Sequence, residues 1–235
     1  MNEDQFVHRQ EKANRILGLS LLSLGLFAPA TWVSYTFLSR WNAVIGAVLL
    51  LIPSIILQFR DNRREYPSFI SLVLNSLANG LIVSIYYLHY NKAVDHRTLL
   101  MGILFPAVVL LCAYIFSGLM QKRRTRLTLL LLPVNIALMI GSIVKWAQTG
   151  EVLYSFTFFS LIFSLIYTLT LLITLRRSEL SVIGALSIGS YGIMGIIVVV
   201  VIALVTDGEV FDCVIEGIGD IMTDFFPSRS KRRNP

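Results

Sequence analysis

The sequence predicts an all-α fold, a polytopic helical membrane bundle of about seven transmembrane helices followed by a C-terminal amphipathic helix. Seven apolar blocks fill most of the chain, and each approaches the roughly 20 residues that cross the ~30 Å hydrocarbon core of a bilayer. Of the 235 residues, 55% are hydrophobic and only 14% are charged, with a mean hydropathy of +0.72. A soluble domain of this size could not cover so much apolar surface. Arginine and lysine are concentrated in alternate gaps between the blocks.

These blocks predict one membrane domain with two short tails. Residues 1–15 form an N-terminal segment, residues 16–206 the seven-helix domain, and residues 207–235 an amphipathic helix with a basic end. Neither tail reaches the ~40 residues that a domain usually needs to build its own core. The predicted spans are 16–38, 43–59, 67–90, 99–120, 127–147, 152–174 and 181–206.

The basic residues predict the orientation of the spans. Short loops with an excess of positive charge lie on the cytoplasmic side of a membrane. The basic residues that precede the first span or follow the second, fourth and sixth spans are Arg9, Lys12, Arg15, Arg60, Arg63, Arg64, Lys122, Arg123, Arg124, Arg126, Arg176 and Arg177. The alternate gaps hold Arg40, Lys92 and Arg97, with Lys145 at the end of the fifth span. We therefore expect the cell membrane, with a cytoplasmic N-terminus and an extracytoplasmic C-terminus.

The last residues of the chain disagree with that orientation. Arg229, Lys231, Arg232 and Arg233 favour the cytoplasm, although they lie far from the last span and so count less. A single re-entrant block would leave six crossings and an internal tail, and this alternative stays open beside the seven-span prediction.

The first block contains Ala28, Pro29 and Ala30, a pattern similar to a signal-peptidase site. Apolar residues continue beyond it to Leu38, and the preceding segment carries acidic residues that are unusual in a signal peptide. We predict an uncleaved first helix.

Polar residues follow helical spacing in the third and sixth spans. A stripe of this kind is costly against lipid, so both should face the interior, either as contacts between helices or as the wall of a polar cavity. The candidate polar seam consists of Ser68, Ser71, Asn75, Asn79, Thr157, Ser160, Ser164, Tyr167 and Thr168.

Small residues recur on one side of the seventh span. They let helix backbones approach closely, and such packing drives helix association in membranes. The predicted contact face, towards the bundle or towards a partner, consists of Ser181, Gly184, Ala185, Gly192 and Gly195.

The segment 209–226 has the apolar spacing of an amphipathic helix with an acidic polar face. Helices that lie on membranes usually carry basic polar faces. Docking onto a protein surface is therefore the favoured prediction, beside a helix lying on a neutral leaflet. Its predicted docking residues are Phe211, Val214, Ile215, Ile218, Met222 and Phe225.

Several chemistries lack the residues they need. Aspartate, glutamate and histidine are absent from the middle of every span, which disfavours proton pumping, ion coupling and histidine-ligated metal or haem. The net charge of +6 lies in loops beside apolar spans, where lipid phosphates are more natural partners than nucleic acid. We expect no enzyme activity, no cofactor and no metal.

Two functions remain. The favoured one is an accessory or partner-binding subunit of a membrane assembly, of the transport, secretion or immunity type, with lipid and another membrane protein or itself as partners. The alternative is a transporter or solute-binding membrane component for a neutral or lipid-like small molecule. A polar cavity at mid-span would favour the alternative, and polar groups bonded to neighbouring helices would favour the first.

Overall fold

The computed structural model describes residues 3–60, 65–119, 124–176 and 182–206. Within these ranges every regular element is an α-helix, and seven helices are long and apolar enough to cross a membrane. This confirms the predicted number and type of helices. They are α1 (Glu3–Phe37), α2 (Arg40–Arg60), α3 (Glu65–His89), α4 (His96–Leu119), α5 (Arg124–Thr149), α6 (Val152–Arg176) and α7 (Val182–Val205).

The seven helices agree with the predicted blocks except at the start of α1. This helix begins at Glu3 instead of near residue 16, because the intervening glutamate, glutamine, lysine and arginine residues are good helix formers. It continues without a break through Pro29, which lies on its exposed side. Each of the seven described blocks forms a single continuous helix.

Three short connections lie together at one end of the bundle, here called the turn end: residues 38–39, 90–95 and 150–151. Asn91 and Gly150 adopt positive φ angles of 49° and 67°, which let the chain leave α3 and α5 sharply. The Nζ of Lys92 donates to the carbonyl of Gly150 at 2.7 Å, joining the second turn to the third. The guanidinium of Arg40 donates to Nδ1 of His89 at 2.8 Å, which ties the start of α2 to the end of α3.

Helices α1, α3 and α6 form the centre of the bundle. In the α6 span 72% of the residues are buried, and in the α3 span 61%, against 11% in the α5 span. The α3 helix packs against α1, α2 and α7, while α6 packs against α4, α5, α7 and α1. The polar stripes predicted on the third and sixth spans therefore lie on the two most enclosed helices.

Aromatic rings fill the contact between α1 and α6. The ring of Phe27 stacks on Phe156 at 5.1 Å between centroids and meets Phe163 at 4.7 Å. The backbones of α1 and α3 approach so closely at Gly80 that a Cβ there would lie 2.6 Å from the carbonyl oxygen of Phe27. These contacts fix the relative depth of the three central helices.

The surface of the bundle is strongly apolar. Large hydrophobic side chains project outward from α2, α4, α5 and α7, among them Leu49, Leu100, Ile140 and Ile188, each more than half exposed. Soluble monomers rarely expose apolar patches of this extent. The surface is of the kind that lipid covers.

Candidate functional site: a buried polar seam

All nine residues of the predicted polar seam are buried inside the bundle. The structure brings the α3 residues against α2 and α7 and places the α6 residues between α1, α4 and α5. None of the nine exposes more than 6% of its surface: Ser68, Ser71, Asn75, Asn79, Thr157, Ser160, Ser164, Tyr167 and Thr168.

A group of five side chains, the α2–α3–α7 cluster, joins three helices: Ser54, Gln58, Ser71, Ser187 and Tyr191. The hydroxyl of Tyr191 lies 2.8 Å from the Oγ of Ser54 and 2.9 Å from the Oγ of Ser71. The Oγ of Ser187 donates to Oε1 of Gln58 at 2.5 Å. Of the five, only Ser71 was predicted as part of the seam. The other four form two pairs at helical spacing, Ser54 with Gln58 and Ser187 with Tyr191, and this spacing is the signal that could have identified them.

Asn75 extends the contact between α3 and α7 by about one helical turn. Its Nδ2 donates to the Oγ of Ser190 at 2.8 Å, and Ser190 in turn donates to the carbonyl of Ser187 at 2.6 Å. This amide therefore connects two helices, as seam residues do when they act in packing.

Three hydroxyls at the centre, here called the central triad, link α1, α3 and α6. The Oγ of Ser23 lies 2.6 Å from both the Oγ of Ser76 and the hydroxyl of Tyr167. Because Ser76 donates its proton to the carbonyl of Leu72 at 2.7 Å, the order of donation is fixed. Tyr167 donates to Ser23, Ser23 to Ser76 and Ser76 to the backbone, so all three protons are used.

Asn135 on α5 is a seam residue that the sequence analysis missed. It is fully buried, and its Nδ2 donates to the Oγ of Ser164 on α6. Its neighbours in the sequence are apolar, so it belongs to no polar stripe. The sequence could have identified it by the asparagine alone, since an isolated amide inside an apolar span needs a partner on another helix.

Asn79 differs from Asn75 although both belong to the same stripe. Its side chain is fully buried, and neither Oδ1 nor Nδ2 has a hydrogen-bond partner among the described residues. The hydroxyls of Ser160 and Thr168 are likewise without a partner there. A buried polar group left in this state costs about 1–3 kcal/mol.

This difference gives a direct test of the two asparagines. Asn79→Leu should raise the free energy of unfolding in mild detergent by about 1 kcal/mol, because it removes an amide without partners at similar volume. Asn75→Leu should be about 1 kcal/mol less stable than Asn79→Leu, because it too removes an unpartnered Oδ1 but also breaks the bond from Nδ2 to Ser190. The measurement is SDS titration followed by circular dichroism. Equal stabilities of the two variants would contradict this difference in hydrogen bonding between the two amides.

The predicted contact residues of α7 lie in different surroundings. Gly184 is buried, Ala185 is half-buried, and Gly192 and Gly195 are exposed, while Ser181 lies outside the described residues. A Cβ at either Gly192 or Gly195 would meet no heavy atom within 4 Å. The exposed α7 face is defined by Ile188, Gly192, Gly195, Ile196, Val199 and Ile202.

A cavity of about 280 Å³, here called the lateral cleft, opens between α4, α5 and α6. Of the nine seam residues it is lined by Thr157 alone. Asn75 and Ser164 instead form hydrogen bonds to α7 and α5. Four of the nine seam residues, Ser71, Asn75, Ser164 and Tyr167, thus form hydrogen bonds to other helices, and the cleft has a different wall.

Metal-ligating side chains do not cluster in the described part of the chain. No set of three or more histidine, cysteine, aspartate or glutamate side chains is close enough to hold a metal ion there. His89 accepts from Arg40, and His96 pairs with its neighbour Asp95 at 2.9 Å, both at the turn end. The hydroxyl of Ser187 has the amide of Gln58 as its partner and not a base.

The predicted docking helix of the tail, with Phe211, Val214, Ile215, Ile218, Met222 and Phe225, lies outside the described residues. No protein-family model, curated protein sequence or solved structure matches this chain.

Proposed function

We propose that the protein is a non-enzymatic integral membrane protein that acts as a partner-binding or accessory subunit of a membrane assembly. The exposed α7 face is the observation that carries this proposal. Its role is to pack against a transmembrane helix of another protein or of a second copy.

The membrane placement is supported by seven apolar helices and by the apolar surface between them. The basic residues that precede the first span and follow the second, fourth and sixth adjoin, in sequence, the helix ends opposite the turn end. This supports a cell-membrane orientation with that end in the cytoplasm, against which only the C-terminal Arg229, Lys231, Arg232 and Arg233 stand. In this orientation the N-terminus is cytoplasmic and the C-terminus extracytoplasmic.

Gly192 and Gly195 have no packing role inside the bundle. Glycine in a helix interior costs up to about 1 kcal/mol relative to alanine. At Gly80 the cost is offset because the missing side chain lets α1 pack closely, and Gly189 lies against Thr170. A Cβ at Gly192 or Gly195 would meet no atom within 4 Å, so their cost is not offset inside the bundle. They leave a shallow surface on which a second backbone can approach closely.

The residues around these glycines suit the same purpose. Ile188, Ile196, Val199 and Ile202 are β-branched and stiff, so packing them against a partner removes little side-chain freedom. Between transmembrane helices, close van der Waals packing and not the hydrophobic effect drives association. A flat face of glycine and β-branched residues provides that packing.

A photo-cross-linking amino acid at Ile196 tests the proposal in cells. We expect a discrete protein adduct from this position, and none from the same amino acid at Ile143 on the exposed side of α5. Introducing Gly192→Leu and Gly195→Leu together should reduce the adduct at least tenfold by filling the face. Gly141→Leu is the matched control, because Gly141 is also exposed and open.

The outcomes separate the possible partners. Two differently tagged copies in one adduct identify self-association, and a second protein identifies a heteromeric subunit. Adducts with lipid alone, or an adduct that survives the double leucine variant, would contradict the proposal.

A transporter or solute-binding component for a neutral or lipid-like molecule remains the second candidate. Asn79 is the observation in its favour, because a fully buried amide with no described partner can bind a polar solute. Binding of such a solute should then disappear in Asn79→Leu and persist in Asn75→Leu.

A further inference from the structure

The lateral cleft runs along α5 between two other helices. Phe105 of α4 and Leu161 of α6 form its walls, and Ala137, Gly141 and Lys145 follow one side of α5. From Ala137 to Lys145 the helix rises about 12 Å. The cleft is therefore long relative to its volume of about 280 Å³.

This shape decides which kind of molecule fits. With open solvent included the space in the cleft is about 680 Å³, whereas a helix 10 Å across fills roughly 940 Å³ over the same 12 Å. A transmembrane helix of a partner is too wide for the cleft. An extended hydrocarbon chain is narrow enough to enter it.

The two ends of the cleft differ in chemistry. Near the turn end the cleft is lined by the exposed Lys145 and the half-buried Tyr154. The rest of its lining is apolar apart from Ser142 and Thr157, and the hydroxyl of Thr157 is occupied by a bond to the carbonyl of Leu153 at 2.7 Å. Lys145 makes no ion pair with the described residues. A positive charge thus stands above an apolar slot without a compensating acid.

We propose that the lateral cleft binds one anionic phospholipid from the leaflet at the turn end. One acyl chain lies in the slot between α4, α5 and α6, and the phosphate lies beside Nζ of Lys145. The lysine is four residues before the end of α5 at Thr149, about 6 Å below it, which is the depth at which a long cationic side chain reaches the headgroups.

Gly141 keeps the slot open. A Cβ at this position would meet no atom within 4 Å, and the residue lines the cleft between Ala137 and Lys145. A leucine here places its side chain in the slot without touching the protein backbone. Gly141→Leu therefore removes the acyl site and improves the helix-forming tendency of α5 at the same time.

Native mass spectrometry of the full-length protein, released from detergent with equal amounts of phosphatidylglycerol and phosphatidylcholine, tests the proposal. The wild type should retain phosphatidylglycerol about five-fold better, the preference expected of one lysine near an anionic headgroup. Lys145→Gln should bind the two lipids equally. Gly141→Leu should retain neither lipid above background.

Two matched variants complete the experiment. Arg97→Gln removes the same charge at the turn end but outside the cleft, and should behave as the wild type. Gly25→Leu adds the same side chain at an exposed, open position of α1 outside the cleft and should also behave as the wild type. Inorganic phosphate should not displace the lipid, since the acyl chain supplies most of the contact.

The inference rests on the proposed membrane placement, and the two can fail separately. A protein absent from carbonate-washed membranes would contradict the placement. A membrane-integrated protein without preference for phosphatidylglycerol, or with undiminished retention in Gly141→Leu, would overturn the lipid site alone.

Discussion

Gly80→Ala is expected to lower the free energy of unfolding by about 3 kcal/mol, at the upper end of the usual cost of overpacking. The new Cβ would lie 2.6 Å from both the Cβ of Ala30 and the carbonyl oxygen of Phe27, and 3.0 Å from the amide nitrogen of Thr31. Two of these three atoms belong to the backbone of α1. No side-chain rotation can relieve the overlap, so α1 and α3 must separate.

Separation of these helices also affects polar contacts away from Gly80. Ser34 and Ser84 bond across α1 and α3 at 2.6 Å on one side, and Ser23 and Ser76 do so at 2.6 Å on the other. The stability is measured by SDS titration in mild detergent. Gly25→Ala on the exposed side of α1 is the control, because a Cβ there meets nothing within 4 Å and alanine favours the helix by about 1 kcal/mol. Equal stabilities of the two variants would show that α1 and α3 are not packed at this distance.

Phe163→Ala is expected to lower the free energy of unfolding by about 3 kcal/mol. The ring is fully buried, lies 4.7 Å from the ring of Phe27 and makes an edge contact with Tyr167 at 6.1 Å. This value is at the lower end of the usual cost of truncating a buried phenylalanine. The unfolded helices remain in an apolar medium, so the part of the cost that comes from transferring the ring out of water is smaller. The cavity left by the ring and the loss of its aromatic contacts still lower the stability.

Phe37→Ala provides the comparison for this variant. Phe37 is 71% exposed at the end of α1, so the same truncation there should change stability by less than about 0.5 kcal/mol. Thermal unfolding followed by the near-ultraviolet signal of the aromatic residues measures both. A Phe163→Ala protein as stable as Phe37→Ala would contradict the central position of α6.

The sequence predicts the helices well because apolar length carries the signal. It predicts the orientation of the polar stripes on α3 and α6 for a similar reason: polar groups avoid lipid, and both stripes are buried. The sequence does not predict the start of α1, since the charged residues before residue 16 show no regular spacing of apolar side chains.

Which residues meet across helices is beyond the reach of the sequence. Asn75 and Asn79 belong to the same polar stripe of α3 and have mostly apolar neighbours in the sequence. Only Asn75 lies opposite a serine of α7. Gly80 and Gly25 both stand in apolar helices, and only the first faces a backbone. In a bundle whose core and outer surface are both apolar, hydrophobic periodicity cannot tell which helix lies opposite which.

The fixed order of donation in the central triad bears on proton conduction. A chain of hydroxyls carries protons only if each link can reverse and both ends can exchange with an acid, a base or water. Here the chain from Tyr167 through Ser23 and Ser76 ends on the carbonyl of Leu72, an acceptor with no proton to pass onward. The central triad is thus an insulating joint between three helices.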